Sequence, residues 1–176
     1  MKTMLYTLLA LGLLSMLVAA GTSVTHSEAE SATVNSYVDT SITSATISFG
    51  SLDPTTTNNA ASENPITLTN TANSNTAVDV YLQSTDLTGA GTIGVSNIKV
   101  SKTAVGAKTS LVKSGANPEW LSCAASPCIG NEGYVENLAK STTQDFYFWL
   151  DVPGGQNAGA YTGTLSIKSV KDGNLP

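Results

Sequence analysis

Cys123 and Cys128, in the stretch CAASPC, are the two cysteines of this chain, and His26 is its one histidine. A structural zinc site needs about four ligands, so in an exported protein the cysteine pair reads as a local disulfide. Closing so small a loop stabilises by only about 2 kcal/mol; such a bridge pins a loop and does not hold a domain together. A hydrolase triad needs a positioned base, and His26 lies in a polar stretch (GTSVTHSEAE) expected to be loose. Glu132 and Glu136 lie near each other in sequence, a pairing glycosidases use in space, but acids of this kind are ordinarily solvated loop residues. Asp151 beside Gly154-Gly155, and Asp53 with Glu63, lack the repeated Asp/Asn spacing of a calcium loop. The run Gly89-Ala90-Gly91-Thr92-Ile93-Gly94 superficially suggests a dinucleotide fingerprint, but without a strand-to-helix setting it is a turn. No catalytic, cofactor-binding or metal-ligating residue is therefore expected, and the chain does not read as an enzyme.

The elements that hold these residues begin with an export signal. Met4 to Ala20 is continuously apolar after a start carrying only Lys2, the length of a signal-peptide core and short of a comfortable span of about 20 residues. Val18-Ala19-Ala20 offers small residues for signal peptidase, placing cleavage after Ala20 or Gly21. A retained helix, as in type IV pilins, fits less well, because Lys2-Thr3 is a poor match to their leader. Residues 1–20 are thus expected to be a signal peptide, and the mature chain to be extracellular or at the cell surface, with no membrane contact after cleavage.

Charged residues make up 12% of the chain, about half the usual share, so Ser, Thr, Asn and Gly must cover the surface. A surface of this kind is weakly protected by charge repulsion and suits a protein that packs against its own copies. All eight basic residues are lysines and the net charge is −5; nucleic acid and anionic lipid, which reward positive fields, are excluded as partners.

Past the signal, short runs rich in Val, Ile, Thr, Phe and Tyr alternate with Gly, Pro, Asn and Asp at the spacing of a sandwich or barrel. The fold expected is all-β: a two-sheet sandwich, jelly-roll or Ig-like, over residues 42–176. Ile66–Thr69 and Ala77–Leu82 read as a hairpin or adjacent pair, with Val78, Val80 and Leu82 on one face and Asp79, Tyr81 and Gln83 on the other. Ile93–Val95 and Ile98–Val100 form a further short pair around Ser96-Asn97, and Leu111-Val112 is a weaker strand candidate. Asp145–Asp151 carries Phe146, Phe148 and Leu150 on one face and Tyr147 and Trp149 on the other, the pattern of a strand covered twice or showing an aromatic face. The last strand, Ala160–Val170, turns Tyr161, Gly163, Leu165 and Ile167 inward. Lys113–Leu138, with Trp120, both cysteines and Tyr134, is expected to be a disulfide-pinned excursion.

Residues 21–41 precede this core as an N-terminal extension. Within it Ala32, Val34, Ser36 and Val38 share one side of an extended run, and Ile42 and then Ala45–Gly50 open the core. Such a segment can be the domain's own first strand or a loose tail. It can also add a strand to the next molecule, where main-chain hydrogen bonds give affinity and alternate side chains fill a groove. Repeated head to tail, that contact builds a fibre.

Ile47-Ser48-Phe49-Gly50-Ser51-Leu52-Asp53-Pro54, with Ile66-Thr67-Leu68-Thr69-Asn70 and Ala77-Val78-Asp79-Val80-Tyr81-Leu82, resembles the start of TasA/camelysin-like proteins and of the related archaeal bundling pilins. The likeness covers mainly residues 45–84. It implies a jelly-roll-like sandwich whose N-terminal segment, here about Ser31 to Thr40, is donated to a neighbouring subunit in biofilm-matrix filaments. The metalloprotease activity attributed to camelysins does not carry over to a chain with no HExxH. The expected function is a filament or pilus subunit whose partner is itself, with a related filament or surface protein as a further partner. The alternative is a secreted carbohydrate-binding or cell-envelope accessory domain, in which Tyr81, Trp120, Tyr147 or Trp149 stacks on sugar rings.

Overall fold

The computed structural model describes residues 31–111 and 134–174. The chain divides into two compact units, Met1–Val34 and Asn35–Pro176. Of the first, only residues 31–34 are described; they are exposed and belong to no strand.

The second unit is all-β and antiparallel, a sandwich of short strands. In chain order these are β1 (Thr40–Ile42), β2 (Asn59–Ala60), β3 (Ile66–Asn70), β4 (Val78–Ser84), β5 (Leu87–Gly89) and β6 (Thr92–Ile93). They continue with β7 (Ile98–Ser101), β8 (Thr109–Ser110), β9 (Tyr134–Leu138), β10 (Thr142–Leu150), β11 (Tyr161–Thr162) and β12 (Leu165–Lys171). The largest sheet runs β1-β3-β10-β7-β8, with β2 also paired to β10; the others run β12-β4-β9 and β11-β5-β6.

Strand β10 organises the first sheet because it is the longest and most aromatic, and it pairs with two neighbours in succession. Its first half matches β3, with Phe146 opposite Ile66, and its second half matches β7, with Phe148 opposite Val100. Phe146, Phe148 and Val100 are fully buried and meet Val80 and Leu82 of β4, also fully buried, in one apolar core. Where β10 lacks a continuous neighbour beside Phe148, Asn64 supplies one. Its side-chain amide donates to the Phe148 carbonyl and its amide oxygen accepts from the Phe148 N–H, both at 2.8 Å. Asn64 in turn enters β3 through a cis peptide to Pro65.

Several strand assignments need correction. The runs at Ile66–Thr69 and Ala77–Leu82 are not a hairpin: β3 and β4 lie in different sheets. Val95–Asn97 is a 3-10 turn, so the Ile93–Val95 strand ends at Ile93. Ala160–Val170 is two strands, broken at Gly163, where a Cβ would come within 2.8 Å of Leu87 Cδ2 and 3.0 Å of the Asp86 carbonyl. Ala45–Gly50, read as an opening core strand, forms no strand at all. Of the excursion expected over Lys113–Leu138, Tyr134–Leu138 is strand β9, paired to β4; residues 113–133, with Cys123, Cys128 and Trp120, lie outside the described residues.

Candidate functional site

Along antiparallel strands, main-chain groups turn alternately toward and away from a given neighbour. At the two ends of β12, the Thr164 carbonyl accepts from Thr85 N–H at 3.0 Å, and Asp172 N–H donates to the Ala77 carbonyl at 3.1 Å. Thr164, Ser166, Lys168, Val170 and Asp172 therefore face β4, in the register that sets Ile167 opposite Leu82. Leu165, Ile167 and Ser169 turn their main chain the other way, toward an edge with no strand beside it among the described residues. Beside β1, Thr43 N–H donates to the Thr67 carbonyl and the Asp39 carbonyl accepts from Thr71 N–H, each at 3.0 Å. By the same alternation Thr40 and Ile42 look away from β3.

These two open edges border one cavity of about 770 Å³. Its floor is made by Ile66, Leu68 and Phe148, and its walls by Ile42, Ile47, Phe49, Leu87, Leu165 and Ile167. Ile42 sits directly opposite Leu68, so its side chain points to the core side of the sheet. Leu68 is 1% exposed but Ile42 is 45% exposed. Two residues that share a face and differ this much differ in what lies over them. Leu165 and Ile167 face inward too and are only half-buried, whereas Leu82 beside Ile167 is completely buried. The polar residues at the groove carry hydroxyls, among them Thr40, Ser84, Ser166 and Ser169; no described His, Cys, Asp or Glu lines it. The described lining of the cleft is thus apolar side chains and hydroxyls.

The segment entering β1 is fastened to its own molecule. Asn75 Nδ2 donates to the Asn35 carbonyl at 2.9 Å, and Tyr37 N–H donates to Asn75 Oδ1 at 2.7 Å. The fully buried Ser74 hydroxyl accepts from Asp39 N–H at 2.7 Å and donates to its carbonyl at 2.9 Å. Thr71 and Asn73 donate to the Asp39 carboxylate and hold it below the ordinary carboxylate range. The alternating set is thus divided: Val38 packs against its own core, while Val34 is 83% exposed and Ala32 and Ser36 are exposed.

The aromatic residues considered for sugar stacking are placed differently from that expectation. Tyr81 is 3% exposed, its ring 4.9 Å from that of Tyr134. Burial, with Asp79 nearby, raises the Tyr134 phenol far above its usual range. Trp149 is 6% exposed, covered by the Lys108 ammonium at 4.2 Å and stacked on half-buried Tyr147. Neither Tyr81 nor Trp149 offers a free ring face. Among the described residues no group of three or more His, Cys, Asp or Glu is arranged to hold a metal ion.

What the sequence did not reveal was the groove itself, since an open edge leaves no mark in one strand's own alternation. The signal available was indirect: an apolar inward residue, Ile42, followed by a strand-like run without a second strand to match. No family model, curated protein or solved structure matches this chain.

Proposed function

We propose that this protein is the structural subunit of an extracellular filament or pilus, built by each copy donating its N-terminal segment to the groove of the next. The observation that carries the reading is Ile42, aimed at the core side of its sheet and still 45% exposed. A strand laid between β1 and β12 covers it and meets the free main-chain groups of Leu165, Ile167 and Ser169. At sandwich spacings a strand residue occupies roughly 160 Å³, so a cavity of about 770 Å³ takes about five residues.

The occupant is residues 21–34 of another copy. The compact unit that carries the groove begins only at Asn35, and Ala32 and Val34 supply the inward-facing apolar pair. Extended, this stretch reaches about 45 Å, enough to leave one molecule and enter another. Because the partner's groove differs from the donor's own surface, the contact is head to tail and does not close. Export by the Met4–Ala20 signal, a jelly-roll-like arrangement and a disulfide between Cys123 and Cys128 belong to the same proposal. So do a role in biofilm matrix or cell adhesion and a related surface protein as a further partner.

The test is electron microscopy and size-exclusion chromatography of the mature protein and of a form lacking residues 21–34. Filaments from the first and a folded monomer from the second are expected. A mature protein that stays monomeric at high concentration, or a truncated one that still polymerises, contradicts the reading.

A further inference from the structure

Ser44–Phe49 is the most strand-like stretch of the N-terminal part of the chain, Ala45-Thr46-Ile47-Ser48-Phe49, with β-branched and aromatic residues in alternation. It nevertheless belongs to no sheet. Its anchor to the rest of the fold is Ser48: the Ser48 carbonyl accepts from Ser62 N–H at 2.9 Å, and Ser48 N–H donates to Glu63 Oε2 at 2.7 Å. That bond holds the Glu63 carboxyl below its ordinary range. The main chain of Ser48 is turned toward Ser62 and Glu63, and Ile47 and Phe49 on either side of it line the groove. Their side chains rest half-buried on the core. No main-chain hydrogen bond joins Ala45, Ile47 or Phe49 to another described residue.

An inserted strand has two edges, and buried main-chain groups on either must be paired. Strand β12 serves one edge. The other meets β1 at Thr40 and Ile42 and, past the end of β1, Ser44–Phe49, which lines the same cavity. We infer that Ser44–Phe49 becomes a β-strand when the groove is filled and serves as the second rail of the docking site. The inference rests on the strand-donation reading and adds that the acceptor orders part of itself around the donor. The occupant is the segment at residues 21–34 of a second copy; the β12 rail is ready-made and the Ser44–Phe49 rail is completed by the guest.

Amide hydrogen exchange on the full mature protein, as monomer and as filament, tests this. The Ala45, Ile47 and Phe49 amides are expected to slow by at least about tenfold on assembly, as for any newly hydrogen-bonded buried amide. Filaments that form while these three amides keep their monomer rates overturn the inference and leave strand donation standing. If no filament forms and a synthetic peptide of residues 21–34 binds nowhere on the truncated protein, both fall together. A second comparison separates pairing from packing. Ala45→Pro removes an N–H from an exposed position and is expected to weaken peptide binding by about tenfold, while Ala45→Ser leaves it within about twofold. Equal binding by the two variants, with unchanged monomer melting, counts against the rail.

Discussion

The two flanks of the sandwich contain the same kinds of residues and are finished to different degrees. Around β10 and β4, inward-facing Phe146, Phe148, Val80 and Leu82 are all fully buried, each strand having neighbours on both sides. Around β1 and β12, inward-facing Ile42, Leu165 and Ile167 remain part-exposed because each strand has only one neighbour among the described residues. Inward orientation is a property of a strand's own alternation, whereas burial belongs to the assembly of strands around it. A fold can therefore satisfy the first everywhere and the second on one side only.

That contrast predicts different responses to truncation. Phe146→Ala, in the closed flank, is expected to destabilise the monomer by about 3–5 kcal/mol, read from the midpoint of urea unfolding. Ile167→Ala, in the open flank, is expected to cost the monomer less, about 1–2 kcal/mol, since part of that side chain is already in water, and to impair assembly as well. Equal losses for the two would erase the distinction. Next in size, Asn64→Ala leaves the Phe148 N–H without its partner, while the Phe148 carbonyl keeps the Ala61 N–H; it is expected to cost about 2 kcal/mol, and a loss under about 0.5 kcal/mol would show that water replaces the amide without penalty.

Ser74→Ala sharpens the comparison at the β1 end. It leaves the Asp39 N–H and carbonyl without their side-chain partner and should cost about 1–2 kcal/mol, with faster exchange of the Asp39 amide. Unchanged exchange would mean that Asn75, Thr71 and Asn73 hold the fastening from Asn35 to Asp39 without Ser74. The smallest effect concerns Asp151. Burial on its own would raise its pKa, but the Lys99 ammonium and Asn58 N–H outweigh burial and hold the carboxyl below the ordinary range. A depressed carboxylate stabilises the fold above its unfolded pKa of about 3.9 and loses that contribution as pH falls through the lower folded value. Stability of the wild type should therefore decline relative to Asp151→Asn below about pH 4, by less than about 1 kcal/mol for a part-exposed pair. Parallel pH profiles of the two proteins would remove Asp151 from the account.

Much of the closed flank was legible in the sequence. The alternation of Phe146, Phe148 and Leu150, and of Val78, Val80 and Leu82, marks both strands and their inward faces, because burial on one side imposes period two. Partnership was not legible. Nothing in Ile66–Asn70 tells that its neighbours are β1 and β10 and not β4, since pairing depends on contacts far apart along the chain. Tyr81 and Gln83 fall on the outward face by alternation, yet both are buried, which the pattern of a single strand does not encode. Ala45–Phe49 carries a strand pattern and forms none, because propensity without a partner is not enough to make a strand. The candidate site consists of those failures: a strand-like run and two half-covered edges around one groove.

Electron cryo-microscopy of filaments grown from the mature protein would show what fills each groove. Strand donation requires one extended strand in the groove between β1 and β12, continuous with a neighbouring molecule, with Val34 of that neighbour lying over Ile42. A filament whose groove is empty, or is filled by the subunit's own chain, would contradict it.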